Sequence, residues 1–379
     1  MAQRLKTDWI LFLTTIAMAS LGVVIVYSAS SIMAELKFGS IWHFVIRQCV
    51  WLAVGICIMM VLKKTHYRKL QTPVVAFAAV GISLILLFLV YFLDSAHHRW
   101  LRVGPIGLQP SEFAKPALII FLAFFVTWRA RAINTRYTLA PAALAVGLVI
   151  LAVVVADFGT AVVLGLTAAV VFVVAGLEWR FCMIAAACAL AGALFFIASK
   201  PYRLARIIGY LDPDYKIVAK LDSGGKLKSY LQKSLTTRDT SYQSEQSKIA
   251  VGAGGPLGMG LMEGKQKLLY LPEAHTDFIY AVLSEELGLA GSVGVLAAFL
   301  VIFWRGLRAT VLSPDDFGRY LALGVTTMVV VQAFINIGVV LGMMPTKGIP
   351  LPLISSGGSS LLSTLASLGI LMNVSEHAG

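Results

Sequence analysis

Ten apolar runs, each able to cross a bilayer, constrain this chain more than any other feature. They lie at about 9–29, 45–62, 73–93, 113–128, 138–156, 158–177, 180–199, 278–304, 318–342 and 356–374. A spanning helix needs roughly 20 predominantly apolar residues. The expected fold class is therefore all-α: a polytopic membrane protein of about ten transmembrane helices, in one membrane domain over residues 1–379. Composition excludes the soluble alternative. The chain is 58% hydrophobic and 13% charged, against about 45–50% and about 25% for soluble domains. The first run, from Trp9 to about Tyr27, is too long for a signal-peptide core and lacks a convincing cleavage site, so it reads as the first span. The fifth and sixth runs are joined only by Ala156-Asp157-Phe158-Gly159, a tight hairpin.

The charges set the orientation. With the N-terminus inside, the inner short loops hold Lys63, Lys64, Arg68, Lys69, Arg129, Arg131 and Arg136, among others, while the outer ones hold only Lys37, Arg47, Arg99, Arg102 and Lys347. That asymmetry places both termini in the cytoplasm and the long segment 200–277 outside. Much of the net charge of +12 is then a topology signal and implies no nucleic acid. In the outer segment, residues 202–208 and 226–235 alternate basic and apolar faces and read as short interfacial helices; a solvated loop is the other reading for 214–240. Cys49, Cys57, Cys182 and Cys188 have no metal-ligand spacing and read as small packing residues.

The densest chemistry is Leu271-Pro272-Glu273-Ala274-His275-Thr276-Asp277-Phe278-Ile279, followed by Glu285-Glu286-Leu287-Gly288. Glu285 and Glu286 should lie on the order of 12–13 Å below Asp277 along a helix, where carboxylates face a bundle interior, a partner or a wet cavity. A partly desolvated carboxylate at the mouth of a span has a raised pKa. It can act as a general base or ligate a divalent cation. Thr276 or Asp277 could equally cap the following helix. Before the fourth span, Ser111 is an N-cap candidate after Pro110, and Glu112 and Lys115 share a helix face and can pair. Lys115 could instead meet a phosphate as a point charge. Gly252, Gly254, Gly255, Gly258 and Gly260 form either a backbone cradle for a pyrophosphate or a re-entrant turn. The segment 345–360, rich in Pro, Gly and Ser, is non-helical backbone that must be buried or line a cavity, which puts a cavity wall near Lys347.

At this point a resemblance enters. Leu271–Ile279, Pro345-Thr346-Lys347-Gly348-Ile349-Pro350-Leu351-Pro352-Leu353-Ile354-Ser355, Gln109-Pro110-Ser111-Glu112 and Gln246-Ser247 with the glycines resemble the SEDS family (FtsW/RodA) over essentially the whole chain. The Pro-Thr-Lys-Gly form is closer to the division branch than to the elongation branch. The resemblance implies an inverting peptidoglycan glycosyltransferase of the bacterial cytoplasmic membrane that polymerises lipid II and releases undecaprenyl pyrophosphate. It implies Asp277 as the catalytic carboxylate, either base or ligand of a divalent cation such as Mg or Mn. Glu112, Lys115, Arg99, Arg102, His275, Lys347 and Ser355 become candidate substrate-binding residues. The implied partners are a class B penicillin-binding protein, docked on the eighth and ninth spans, and other divisome or elongasome membrane proteins. Three features depart from the family pattern: Val155, Ala156 and Phe158 around Asp157, where the family usually has Gln-Pro-Asp-Leu-Gly; Ser356 where Tyr is common; and the lysine-rich stretch near 215–240. A lipid II flippase and a non-catalytic scaffold for the transpeptidase are the competing readings.

Overall fold

The computed structural model describes residues 7–94, 98–103, 106–199, 201–212, 240–268 and 270–378. Among them are twelve α-helices and one two-stranded hairpin. A helix forms at each of the ten expected runs: α1 (Trp9–Phe38), α2 (His43–Lys64), α3 (Pro73–Leu93), α4 (Pro110–Trp128), α5 (Arg136–Ala156), α6 (Phe158–Val174), α7 (Trp179–Ala198), α10 (Ile279–Leu312), α11 (Asp316–Val340) and α12 (Gly358–His377); among the described residues nine are long and apolar enough to cross a membrane, and α6, at 17 residues, is shorter. Two outer helices, α8 (Pro201–Leu211) and α9 (Thr240–Ala253), lie between α7 and α10. α8 covers the expected interfacial stretch 202–208; the expected helix at 226–235 lies outside the described residues.

Local chemistry sets the boundaries. α1 starts where Asp8 accepts the N–H of Leu11 at 3.1 Å and stops at Gly39, whose φ of 67° closes the helix in the left-handed region. That is nine residues beyond the apolar run, because the polar Ser28–Lys37 stretch continues the same helix. α4 begins at Pro110 rather than 113, since a proline ring is preorganised for the first helical turn. Ser111 is therefore inside the helix and not its cap; its hydroxyl accepts instead from Gln109 at 2.9 Å. The stretch before α4 holds the one element absent from the all-α expectation. It is a hairpin of β1 (Leu101–Val103) and β2 (Ile106–Leu108), with Leu101 opposite Leu108.

The order of burial follows solubility in hydrocarbon. α4, α11 and α12 occupy the centre, while α7 buries no residue. The central helices carry Glu112, Lys115, Gln332, Asn336 and several serines, all buried, which lipid cannot solvate. Glycines let helices close up: a side chain at Gly324 would meet Ile119, and one at Gly306 would meet Thr326. The cysteines are a correction. Cys49, Cys57 and Cys188 are exposed and Cys182 is half-buried, because their helices turn those faces outward, so none packs the centre.

One end of the bundle gathers the inner groups. Asp8 pairs with Arg305 at 2.8 Å, Lys63 with Glu376 at 2.8 Å and Arg68 with Asp315 at 2.9 Å. The opposite end holds the hairpin, α8, α9 and the two long motifs. α10 is broken at Gly288 (φ 65°, ψ −161°). The glycine-rich turn after α9 fits into the break, and a side chain at Gly254, Gly258 or Gly288 would overlap main chain. Met259 and Gly260 donate N–H to the carbonyls of Glu285 and Glu286, both at 3.0 Å. Of the two sequence readings, the re-entrant turn holds; these two N–H groups serve the helix and are not turned to a ligand.

Candidate active site at the outer mouth

Asp277 sits in the turn just before α10. The cap of that helix is Phe278, with no side-chain cap bond, and Thr276 donates its hydroxyl to Glu273 at 2.9 Å. Neither Thr276 nor Asp277 caps the helix, so the carboxylate is left for other work. Its main chain is held from below: Asn336 donates to the Asp277 carbonyl at 2.8 Å and to the Ile349 carbonyl at 2.7 Å. A side chain at Gly348 would overlap the carboxylate. Only glycine lets the Pro-Thr-Lys-Gly segment lie this close.

Burial pushes the Asp277 carboxyl up to about 6, with the negative charges of Glu273 and Asp157 adding to the effect and the positive charges of Arg99 and Lys347 opposing it. Asp157 is buried, receives the Arg99 guanidinium at 3.2 Å and the Gln109 amide at 3.3 Å, and caps α6 through the N–H groups of Gly159 and Thr160. A turn residue in the sequence thus becomes the anchor for Arg99. The signal was present as a lone acid in the tightest apolar hairpin. Arg102 lies exposed on β1. Arg99, two residues before β1, is turned instead to Asp157.

The segment between α11 and α12 is tied to the Asp277 turn. The Ser355 hydroxyl donates to the Thr276 carbonyl at 2.6 Å and accepts from the Leu351 N–H at 2.7 Å. Ser356 N–H donates to the His275 carbonyl at 3.0 Å. His275 is buried against Phe44, ring centres 4.7 Å apart, and burial pushes its pKa down, so the ring is neutral near pH 7. Glu273 (φ 56°) and Leu353 (φ 68°) both stand in the left-handed region, a strain that persists where surrounding contacts impose it.

Glu112 and Lys115 pair at 2.7 Å, each 1% exposed. Lys115 also donates to Gln332 at 2.7 Å, and Gln332 donates to the Pro350 carbonyl at 2.8 Å. The pair therefore lies inside the bundle, beneath the extended segment. Gln332 and Asn336 were missed in the sequence. Their signal is two amides four residues apart on one face of an otherwise apolar span.

Beside Gly348, Lys347 and Ile349 line a groove of about 310 Å³ with Phe158, Phe196, Arg203 and Ile207. It is mainly apolar, with two cations at its rim. Phe158 and Phe196 stack at 5.5 Å; the Arg203 guanidinium lies 3.6 Å from the Phe196 ring centre and the Lys347 ammonium 5.8 Å from that of Phe158. The cavity wall expected near Lys347 is this groove. Its charge and its apolar length suit a ligand with an anionic head and a hydrocarbon tail.

Among the described residues no three His, Cys, Asp or Glu side chains converge to hold a metal ion. The charges acting on Asp277 are the acids Glu273 and Asp157 and the cations Arg99 and Lys347.

Comparison with known proteins agrees over the full length. The FtsW/RodA/SpoVE cell cycle protein family matches residues 8–379. The probable peptidoglycan glycosyltransferase FtsW of Geobacter metallireducens is 37% identical over 381 residues, spanning 98% of this chain and 95% of that protein. Stage V sporulation protein E of Bacillus subtilis is 35% identical and 99% of each chain is covered. Among solved structures, a chain from a peptidoglycan synthase complex that coordinates polymerization and crosslinking matches with TM-score 0.75 and 29% identity, covering 98% of both chains. The Thermus thermophilus rod shape determining protein RodA matches with TM-score 0.68 and 26% identity over 99% of this chain and 98% of that one. The chain belongs to the FtsW/RodA/SpoVE family of cell cycle proteins.

Proposed function

We propose that this multi-pass membrane protein polymerises lipid II at the outer membrane face, with Asp277 as the general base. One observation carries the reading. A carboxyl raised to about 6 lies against Gly348, and the adjacent Lys347 lines an apolar groove with cations at its rim. That juxtaposition matches a donor built from a sugar, a pyrophosphate and a polyprenyl tail. The chain is a peptidoglycan glycosyltransferase by family, and the site supplies the parts the reaction requires.

In the proposed step, Asp277 takes the proton of an acceptor sugar hydroxyl as that oxygen attacks the anomeric carbon of the donor. The new glycosidic C–O bond forms with inversion while the bond to the lipid pyrophosphate breaks. The leaving group carries the electron pair, and Lys347 and Arg99 stabilise its charge. A base with a pKa near 6 is ionised at pH 7 yet still accepts a proton well. Asn336, Ser355, the buried His275 and the Glu112–Lys115–Gln332 chain position this apparatus; the exposed Arg102 is a further proposed substrate contact. No step runs through a metal ion. The proposed partner is a class B penicillin-binding protein, a transpeptidase, in keeping with the polymerization and crosslinking coupled in the similar complex.

The test is to give purified protein, alone and with its transpeptidase, labelled lipid II and to size the products. Long glycan strands are expected from wild type and none from folded Asp277→Ala. Strands from that variant would remove the catalytic assignment. Lipid scrambling in vesicles without polymer would establish a flippase, and neither activity would establish a scaffold.

A further inference from the structure

α10 is two helices in function. Residues 289–312 alone run about 36 Å, enough to cross the hydrocarbon core. The short helix before Gly288, with Asp277 at its mouth, is therefore an attachment whose pose must be set by other contacts. At the break the carbonyls of Glu285 and Glu286 lose their in-helix donors and accept from Met259 and Gly260, while Leu289 and Ala290 donate to Gly255 and Pro256 at 2.8 and 3.2 Å. The two side chains finish the joint. Glu285 accepts the N–H groups of Lys265 and Gln266 at 2.8 and 3.2 Å. Glu286 receives the Lys267 ammonium at 2.6 Å and the Ser28 hydroxyl of α1; Lys267 also donates to Ser28 at 2.8 Å. Glu286 is 1%, Ser28 2% and Lys267 6% exposed. A buried ion pair adds little net stability over an apolar pair of the same shape, because desolvation offsets the attraction. Its contribution here is geometric. Glu286 lies about two turns along the short helix that Asp277 opens, every residue from Ile279 to Glu286 is buried, and Ala274 and His275 bury the turn before it, so the position of the ion pair passes on to Asp277.

We propose that Lys267 and Glu286, clamped to α1 by Ser28, are positioning residues that seat the turn carrying Asp277. The proposal rests on Asp277 being the base. The full-length protein is compared with Lys267→Met/Glu286→Gln, Lys267→Arg and Ser28→Ala in lipid II polymerisation, read as kcat, KM and the pH profile. A nitroxide on Glu273→Cys, in a background without the native cysteines, reports motion of the turn independently of catalysis. The double variant should keep its fold and its KM within about twofold, lose at least about tenfold in kcat, and mobilise the nitroxide. Its acidic pH limb should move down as water reaches the carboxylate. Lys267→Arg should recover part of kcat. Wild-type kcat with an unchanged nitroxide spectrum in the double variant would overturn the proposal. If the double variant does not fold, Ser28→Ala is decisive: a severalfold loss of kcat at unchanged KM supports the seat, and wild-type kcat overturns it. Asp277→Asn is run in parallel. Polymer from it sinks the catalytic reading whatever the other variants do, and a mobile nitroxide in the double variant would still establish the seat.

Discussion

Asn336 on α11 donates its side-chain amide to the main-chain carbonyl of Asp277 at 2.8 Å and to that of Ile349 at 2.7 Å. One side chain thus joins the turn bearing the carboxylate to the segment bearing Lys347. Replacing it with leucine leaves two carbonyls without this donor, at a cost of about 1–3 kcal/mol each if they stay buried. The expected result for Asn336→Leu is a kcat for lipid II polymerisation lower by at least about tenfold, with KM changed less. Wild-type kcat would show that the bridge does not position the base.

Asp277 gives a paired prediction of activity and stability. Its folded-state pKa of about 6 lies above the ordinary carboxylate value of 3.8. Well below the unfolded value of 3.8 both states hold the proton, and the penalty grows between there and about pH 6, above which the folded state carries a charge it disfavours. Asp277→Asn should therefore abolish polymerisation and raise the melting temperature at pH 8, with a much smaller change at pH 4. Equal melting temperatures at pH 8 would contradict the desolvated carboxylate.

Arg99 and Asp157 should move the acidic limb of the pH–rate profile in opposite directions. Arg99 holds the Asp277 carboxyl down and Asp157 pushes it up. Arg99→Gln should shift the limb above pH 6, and Asp157→Asn should shift it below, since asparagine still caps α6. Shifts of the same sign in both variants would argue against these charges as the controls on Asp277.

Lys347 should act on substrate affinity through charge. Lys347→Ala is expected to raise KM for lipid II by about tenfold, whereas Lys347→Arg, which keeps the positive charge, changes it far less. The difference between wild type and Lys347→Ala should shrink as salt rises, because a charge that is only half-buried is still screened. Salt-independent KM values would place the lysine in a structural role.

The ten spans, their order and the inner cluster of charges were legible because each depends on local composition: hydrocarbon selects apolar runs, and translocation selects the distribution of lysine and arginine. Asp277 stood out for the same reason, as an acid at the edge of a span. Local sequence left its role open between cap and base. The fold removed the cap by starting α10 after Phe278, and it raised the carboxyl by burying it.

What only tertiary structure decided are relations between residues far apart in the chain. Asp157 meets Arg99, Gln332 meets Lys115, Asn336 meets Asp277, and Lys267 meets Glu286 and Ser28. No periodicity encodes such pairs. Each polar group is costly in lipid by itself and becomes tolerable only against a partner. The sequence by itself determined where the chain crosses the membrane and which acid stands at the mouth. The packing of α4, α10, α11 and the extended segment determined what that acid faces, because a carboxylate takes its basicity from the burial and charges around it and not from its neighbours along the chain.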